Sequence, residues 1–150
     1  MDSSASPRPA IVGTDLDGKP LSLEAEKGKV VLVVFWASWC MPNAQEAGRF
    51  AQVASTYRDK GFRIVGVNLD TLQDGHPSDE AVMPAVRRFL LDHNVPWPTV
   101  MNGKGDKDYA KAYGVTELPT NLLVGRDGTV LHVDLGAARL EPVLAKLIGH

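Results

Sequence analysis

The fold is decided by the stretch VVLVVFWASWCMPN, which spans residues 30–43 of this 150-residue chain. Its first eight residues, Val30 to Ala37, form a continuous apolar run that predicts a strand buried on both faces of a sheet. The run is followed by Cys40, the single cysteine of the sequence, and the residues after Asn43 have helical spacing. A buried strand that leads directly into a helix places the intervening residues at the carboxyl edge of the sheet, where α/β proteins usually carry their site.

The next two segments extend this pattern into a βαβ unit. From Pro42 to about Arg58 the apolar residues recur mainly with the spacing of one helix face, and Lys60-Gly61 predicts the end of that helix. Phe62 to Leu69 then form a second apolar run. Because a strand, a helix and a strand follow each other closely, we expect a parallel pair with a right-handed crossover.

The remaining elements are predicted from turn signals and periodicity. They are a hairpin in 11–23, a loop in 70–80, a helix in 81–93, a short strand in 96–101, a short helix in 106–113, an antiparallel hairpin in 121–133 and a C-terminal helix in 140–148. Residues 1–9 are small, polar and proline-containing, which predicts a flexible segment. One domain is therefore expected over residues 10–150.

The composition of the chain argues against several classes of function. The net charge is −2 and the pI is about 6.1, which gives no electrostatic reason to expect nucleic acid or a membrane surface as partner. No apolar run approaches the roughly 20 residues of a membrane span, and the N-terminus lacks the apolar core of a signal peptide. A single cysteine also excludes an internal disulfide.

A metal centre is not indicated either. The histidines, His76, His93, His132 and His150, have no metal-binding spacing relative to Cys40 or to each other. Cys40 and Met41 offer soft ligands of the kind that copper(I) prefers, but no third ligand is evident. We therefore expect neither a metal nor a cofactor.

The segment from Phe35 to Asn43 resembles the active-site segment of the thioredoxin superfamily. It is most similar to the TlpA/ResA-like thiol-disulfide oxidoreductases, whose pattern is Phe-Trp-Ala-x-Trp-Cys-x-Pro-Cys, except that Asn43 stands at the second cysteine. The lead-in Asp17-Gly18-Lys19 and the segment from Gly114 to Thr120 extend the resemblance from Ile11 to the C-terminus. It implies the thioredoxin fold: an α/β domain with a central mixed sheet flanked by helices, an N-terminal β-hairpin and a TlpA-like central insertion.

Cys40 is the candidate nucleophile. Unpaired N–H groups and the dipole at a helix N-terminus favour a thiolate, and they lower the pKa of a thiol from its ordinary value of about 8.5. Pro42 suits the first helical turn because that turn needs no N–H donor there. The alternative is a buried, unreactive cysteine.

Asn43 stands in place of the second cysteine, which resolves the mixed disulfide in the family. Without it, an adduct on Cys40 needs an external thiol for its release, so this chain alone cannot run a dithiol cycle. Asn43 could donate its amide to the Cys40 thiolate, or it could be a tolerated polar residue in a degenerate site. A further alternative is that Asn43 was introduced into the natural sequence by substitution.

The stretch Leu118-Pro119-Thr120 resembles the cis-proline loop that faces the cysteine in this family. A cis bond before Pro119 would expose a backbone edge to which a substrate peptide adds as a strand; the alternative is a trans proline at a strand start. Of Trp36 and Trp39, one is expected in the core and the other at the rim of a substrate groove. The predicted site comprises the catalytic residues Cys40, Asn43 and Pro119 and the substrate-binding residues Trp39, Met41, Pro42, Leu118 and Thr120.

Three other positions depart from related active sites. Thioredoxins carry a buried acid six residues before the nucleophile, where this chain has Val34. Some TlpA-like proteins use an acid after the second core strand, which makes Asp70 a candidate base, although a loop or cap residue is the simpler interpretation. Peroxiredoxins need Thr or Ser three residues before the cysteine, and Ala37 at that position argues against peroxidase chemistry.

Two functions follow from the resemblance. In the first, the protein is a thiol-disulfide oxidoreductase-like monothiol whose partners are protein or peptide thiols and disulfides together with an external reducing thiol. In the second, it is a redox-inactive module that binds peptides or proteins. The resemblance also implies an extracytoplasmic location, periplasmic or membrane-anchored, with the targeting segment absent from this chain and the cytoplasm as the alternative. We expect a monomer.

Overall fold

A computed structural model describes residues 11–23, 26, 28–37, 44–70, 79–92, 95, 97–103, 108–115 and 120–148. In chain order its elements are β1 (Val12–Thr14), β2 (Pro20–Ser22), β3 (Val30–Trp36), α1 (Ala44–Tyr57), a 3₁₀ turn (Arg58–Lys60), β4 (Phe62–Asn68), α2 (Asp79–Asp92), β5 (Thr99–Met101), α3 (Tyr109–Ala112), β6 (Thr120–Val124), β7 (Val130–Val133) and α4 (Ala137–Ile148). Each strand and helix that the sequence predicts has a counterpart in this order.

The predicted buried strand, β3, lies in the middle of the main sheet. All seven of its residues are buried, because it has strands on both edges and packed layers on both faces. It pairs in parallel with β4, from Val30 opposite Phe62 to Trp36 opposite Asn68, and antiparallel with β6. The strand order is β5-β4-β3-β6-β7, so the sheet is mixed, as expected.

Alternate residues of β3 belong to two separate core layers. Leu32 and Trp36 face a layer built with buried side chains of α1, α2 and α4. Val33 and Phe35 face the opposite layer, to which the N-terminal hairpin and α3 contribute. Helices therefore flank both faces of the sheet, and α2 with β5 forms the central insertion between β4 and α3.

Two glycines set the turns that bring strands into register. Gly61 has a φ of 86°, in the left-handed region that favours glycine, and its N–H donates to the carbonyl of Arg58 at 3.3 Å. Gly61 thereby ends the helical segment one residue before β4. Gly128, with a φ of 90°, closes the turn between β6 and β7, where its N–H donates to the carbonyl of Gly125 at 3.0 Å.

The structure corrects several predicted boundaries. Helix α2 begins at Asp79 and so occupies the end of the predicted 70–80 loop, because acidic residues suit a first helical turn that apolar periodicity does not mark. Helix α4 begins at Ala137, three residues before the predicted start, since a small buried alanine gives little periodic signal. Helix α3 has four residues, fewer than predicted for 106–113.

Candidate active site

The parallel strands β3, β4 and β5 end at the same edge of the sheet. The chain leaves β3 at Ala37 and is next described at Ala44, where α1 begins. The predicted cysteine segment connects these two points. The predicted site residues Trp39, Cys40, Met41, Pro42 and Asn43 lie outside the described residues.

The second predicted segment reaches the sheet beside the first. Leu118 and Pro119 lie outside the described residues, but Thr120, which follows them, is the half-buried first residue of β6. The Cα of Thr120 pairs with that of Phe35, two residues before Ala37. The described ends of both predicted site segments are therefore neighbours in the sheet, and Thr120 is the predicted site residue that the structure places there.

Trp36, at the end of β3, is fixed by packing from the insertion. It is 2% exposed, and its ring stacks on Phe89 of α2 at a centroid distance of 4.6 Å. Its carbonyl accepts a hydrogen bond of 2.8 Å from the N–H of Leu69. Trp36 is thus a core tryptophan, and the strand end that leads to the cysteine segment is held on two sides.

Asp70 follows β4 at the same edge and is almost fully buried. Its carboxylate Oδ1 accepts from Nδ2 of Asn68 at 2.9 Å, and its N–H donates to Oδ1 of Asn68 at 2.9 Å. This reciprocal pair fixes the turn that leaves β4, which agrees with the simpler prediction of a loop or cap residue. Asp70 remains one strand away from the end of β3, and Val34 lies in the apolar core.

Asn102, which the sequence reasoning did not single out, joins this edge to α3. Its N–H donates to the carbonyl of Asn68 at 2.8 Å. Its side-chain Oδ1 accepts from the N–H of Ala110 at 3.0 Å, and its Nδ2 donates to Asp108 at 3.1 Å. The sequence signal that could have identified Asn102 is an amide residue directly after a short apolar strand. A polar side chain at such a position is buried only when its polar atoms are paired.

The described part of the chain gives no metal centre. No three His, Cys, Asp or Glu side chains within it are grouped so that they could hold an ion. His132 lies on β7, at the opposite side of the sheet from β5. The soft-ligand pair of Cys40 and Met41 lies outside the described residues.

This arrangement of strands and helices defines a thioredoxin-fold protein. The structure superimposes on the thioredoxin domain of a thiol-disulfide oxidoreductase from Bacteroides vulgatus with a TM-score of 0.78 and 30% identity, covering 99% of each chain. It also matches a thiol:disulfide interchange protein from a Bacteroides species, with a TM-score of 0.79 and 29% identity over 97% of this chain and 90% of that one.

Sequence relatives define the family. The thiol-disulfide oxidoreductase ResA of Bacillus thuringiensis is 31% identical over 93% of this chain and 75% of its own length; that of Bacillus subtilis is 31% identical over 89% and 68%. The AhpC/TSA family profile matches residues 5–133. The chain belongs to the AhpC/TSA family of thioredoxin-like proteins, and its resemblance to ResA-type thiol-disulfide oxidoreductases is confirmed.

Proposed function

We propose that this protein exchanges thiols and disulfides with peptide or protein substrates through Cys40, its single nucleophile. Membership of a thiol-disulfide oxidoreductase family supports the reaction class. The observation that carries the proposal is the pairing of Phe35 with Thr120. It makes the end of the cysteine strand and the start of β6 neighbours, so the cysteine and proline segments leave the sheet from adjacent points.

The thiolate of Cys40 is the reactive form. Cys40 precedes the described start of α1 by four residues, and α1 has 14 residues, enough for aligned peptide dipoles to favour an anion near its N-terminus. We therefore expect the pKa of Cys40 to lie below the ordinary thiol value of about 8.5.

The proposed reaction has two exchange steps. The Cys40 thiolate attacks one sulfur of a substrate disulfide, forming a mixed disulfide and releasing the other sulfur as a thiolate. An external thiolate then attacks the substrate sulfur of that mixed disulfide, which releases Cys40 as a thiolate and leaves the substrate joined to the external thiol. No net electron transfer occurs in these two steps, and reduction is completed by a second external thiol.

Substrate binding is assigned to the backbone at Leu118 and Pro119 and to Thr120, which begins β6. A peptide that adds there as an extended strand would place its disulfide beside the segment that carries Cys40. Trp39, Met41 and Pro42 supply apolar surface around the cysteine. Asn43 takes no part in the sulfur transfer.

A redox-inactive peptide-binding module is the second candidate. It is favoured by one specific observation, the single cysteine in a sequence that has Asn43 at the family's second cysteine position. The Cys40→Ala variant distinguishes the two candidate functions. Unchanged peptide affinity together with no thiol chemistry in the unsubstituted protein would support the module.

The deciding experiment is the alkylation rate of Cys40 as a function of pH. We expect an apparent pKa below about 8.5, faster reaction at pH 7 than for the same protein unfolded in denaturant, and a mixed disulfide trapped by a peptide disulfide. Cys40→Ser is the matched control and should show no alkylation. An apparent pKa at or above the ordinary value, or reaction only after unfolding, would contradict the proposal.

Location, assembly and domain extent are also proposed from the family. We propose an extracytoplasmic protein with one domain over residues 10–150 that acts as a monomer. Within the described ranges, no helix is long and apolar enough to cross a membrane. Gel filtration with and without reductant tests the monomer, because the single cysteine could join two chains under oxidising conditions.

A further inference from the structure

The edge of β4 that faces β5 is paired along only part of its length. Strand β5 covers the residues from Gly66 to Asn68, whereas β3 pairs with the whole of β4 on the other side. Successive residues of a strand inside a sheet direct their backbone N–H and C=O groups to opposite neighbours. Gly66 and Asn68 bond on the β5 side. Ile64, two residues before Gly66, therefore directs both of its backbone groups to that side, beyond the end of β5.

Pro98 explains why the pairing stops at Gly66. The N–H of Gly66 donates to the carbonyl of Pro98 at 2.8 Å, and in this register the nitrogen of Pro98 is the atom that would donate to the carbonyl of Ile64. Proline has no N–H, so that hydrogen bond cannot form. Among the described hydrogen bonds on this side of β4, none involves Ile64. Ile64 is 3% exposed, so bulk water reaches its N–H and C=O poorly, and leaving them unpaired costs free energy.

A groove of about 350 Å³ adjoins this unpaired edge. It is lined by Ile64, by Trp97 and Pro98, and by three small residues of α1, Ala51, Ala54 and Ser55. Because these side chains of α1 are small, they leave room for further chain beside β4. The two backbone groups without partners therefore lie next to open space.

Two arginines give the groove a positive charge. Arg58 also lines it, is exposed and takes part in none of the ion pairs among the described residues. Arg63 donates through Nη1 to the carbonyls of Arg58 and Phe62, both at 2.8 Å, and its Nε lies 3.9 Å from Glu26. In the part of the chain that the structure describes, no acidic side chain lines the groove. Charge complementarity therefore favours an acidic ligand.

We propose that this groove binds a short, extended, acidic segment of a partner protein, which adds to β4 as a strand in line with β5. The segment donates a backbone N–H to the carbonyl of Ile64 and accepts the N–H of Ile64, and one of its carboxylates pairs with Arg58. Arg63 already bonds to the carbonyl of Phe62, which limits the added strand to a few residues. Ile64 lies toward the start of β4, whereas the segment that carries Cys40 follows the end of β3. The groove is thus separate from the proposed thiol site and does not depend on it.

The test is a ¹H–¹⁵N NMR titration of the whole chain with the cysteine-free peptide acetyl-Thr-Glu-Val-Glu-Thr-amide. We expect shifts of the Ile64 amide and the Trp97 indole signals, slower hydrogen exchange of the Ile64 amide, and no shift at Val133 on the opposite edge strand, β7. A peptide with lysine in place of glutamate controls for charge and one with N-methylated backbone amides controls for strand pairing; each should bind about tenfold more weakly or worse. No shift at Ile64 would overturn the proposal, and so would equal affinity for either control peptide.

A charge-reversal variant tests the contact with Arg58. In Arg58→Glu the affinity for the glutamate peptide should fall about tenfold or more, and the affinity for the lysine peptide should rise. Arg139→Glu, at an exposed arginine of α4 that does not line the groove, is the matched control for net charge. Equal losses in the two variants would overturn the pairing with Arg58. The alkylation rate of Cys40 should be the same with and without the peptide; slower alkylation would place the peptide at the thiol site and overturn the proposal.

Discussion

At the scale of single residues, buried asparagine amides connect elements that are distant in sequence. Asn121 on β6 is the clearest case, because its Nδ2 donates to the carbonyl of Leu135 and its Oδ1 accepts from the N–H of Leu135, both at 2.9 Å. Its own carbonyl accepts from the N–H of Asp134 at 2.7 Å. One side chain thus fixes the path from β7 to α4.

Replacing Asn121 by alanine should lower the free energy of unfolding by about 2–4 kcal/mol, because two buried backbone groups of Leu135 lose their partners. Chemical denaturation measures the change. Arg88→Ala is the control: its ion pair with Asp92 at 3.2 Å is largely exposed and should contribute less than about 1 kcal/mol. Equal effects of the two variants would show that the Asn121 hydrogen bonds contribute nothing net.

A variant at Asn43 tests the proposed exchange through a single thiol. Asn43→Cys should convert single exchange into disulfide reduction with release of the substrate, because a second thiol can attack the mixed disulfide within the molecule. An insulin-reduction assay with dithiothreitol measures the gain, and Asn43→Ser controls for substitution without a thiol. No gain over Asn43→Ser would mean that the site has lost more than its resolving cysteine.

These buried amides also mark what hydropathy could not predict. Asn68 and Asn102 are buried polar residues at strand ends. The side chain of Asn68 pairs with Asp70, two residues later, whereas that of Asn102 pairs with Asp108 and Ala110 at the start of α3. The sequence predicts a loop or cap residue at Asp70 as the simpler interpretation, but it does not predict Asn68 as the hydrogen-bond partner. The position of Asn102 after an apolar strand is a local signal, but the atoms with which its amide pairs are set by the folded structure, so the sequence does not name them.

At the scale of elements, strand order and helix order were predictable because each carries a local pattern. The apolar run of β3 and the Gly-containing turns gave the strands, while boundaries failed where the first helical turn is polar or alanine-rich, as in α2 and α4. The turn between β6 and β7 was predicted from Asp127-Gly128. The hydrogen bonds within this turn should make its contribution to stability depend on pH.

The pKa of Asp127 is held below its ordinary value of 3.8, first by the hydroxyl of Thr129 and then by the N–H of Thr129, both of which donate to the Asp127 carboxylate. Because folding lowers this pKa, the carboxylate contributes stability above pH ~4, and that contribution is lost as the pH falls further. Asp127→Asn keeps an acceptor without the charge. The native protein should exceed this variant in Tm near neutral pH, with a difference that shrinks below pH ~3.

Thermal unfolding of both proteins from pH 7 to pH 2.5 measures that difference. Asp134→Asn, a substitution at the exposed aspartate directly after β7, corrects for the loss of one general negative charge. A difference in Tm between native protein and Asp127→Asn that stays constant with pH would contradict a role for the ionised carboxylate.

At the scale of the whole molecule, one strand couples the two core layers. Leu32 and Phe35 are both fully buried in β3, and they belong to opposite layers. The sequence predicted this central strand and, by resemblance, the fold around it. It could not predict that Trp36, Trp97 and Thr99 meet beside Gly66, since these residues come from β3, from β5 and from the stretch before β5.

Because β3 belongs to both layers, damage to either layer should weaken the whole domain in one transition. Leu32→Ala should cost about 2–5 kcal/mol and Phe35→Ala about 3–5 kcal/mol, whereas Leu91→Ala, at a side chain that is 74% exposed, should change stability by less than about 0.5 kcal/mol. Denaturant unfolding is followed by tryptophan fluorescence, to which Trp36 and Trp97 in the layer of Leu32 contribute, and by far-UV circular dichroism. Coincident curves in both core variants are expected for a two-state domain; in Phe35→Ala, a dichroism transition that precedes the fluorescence transition would show that the layers unfold separately.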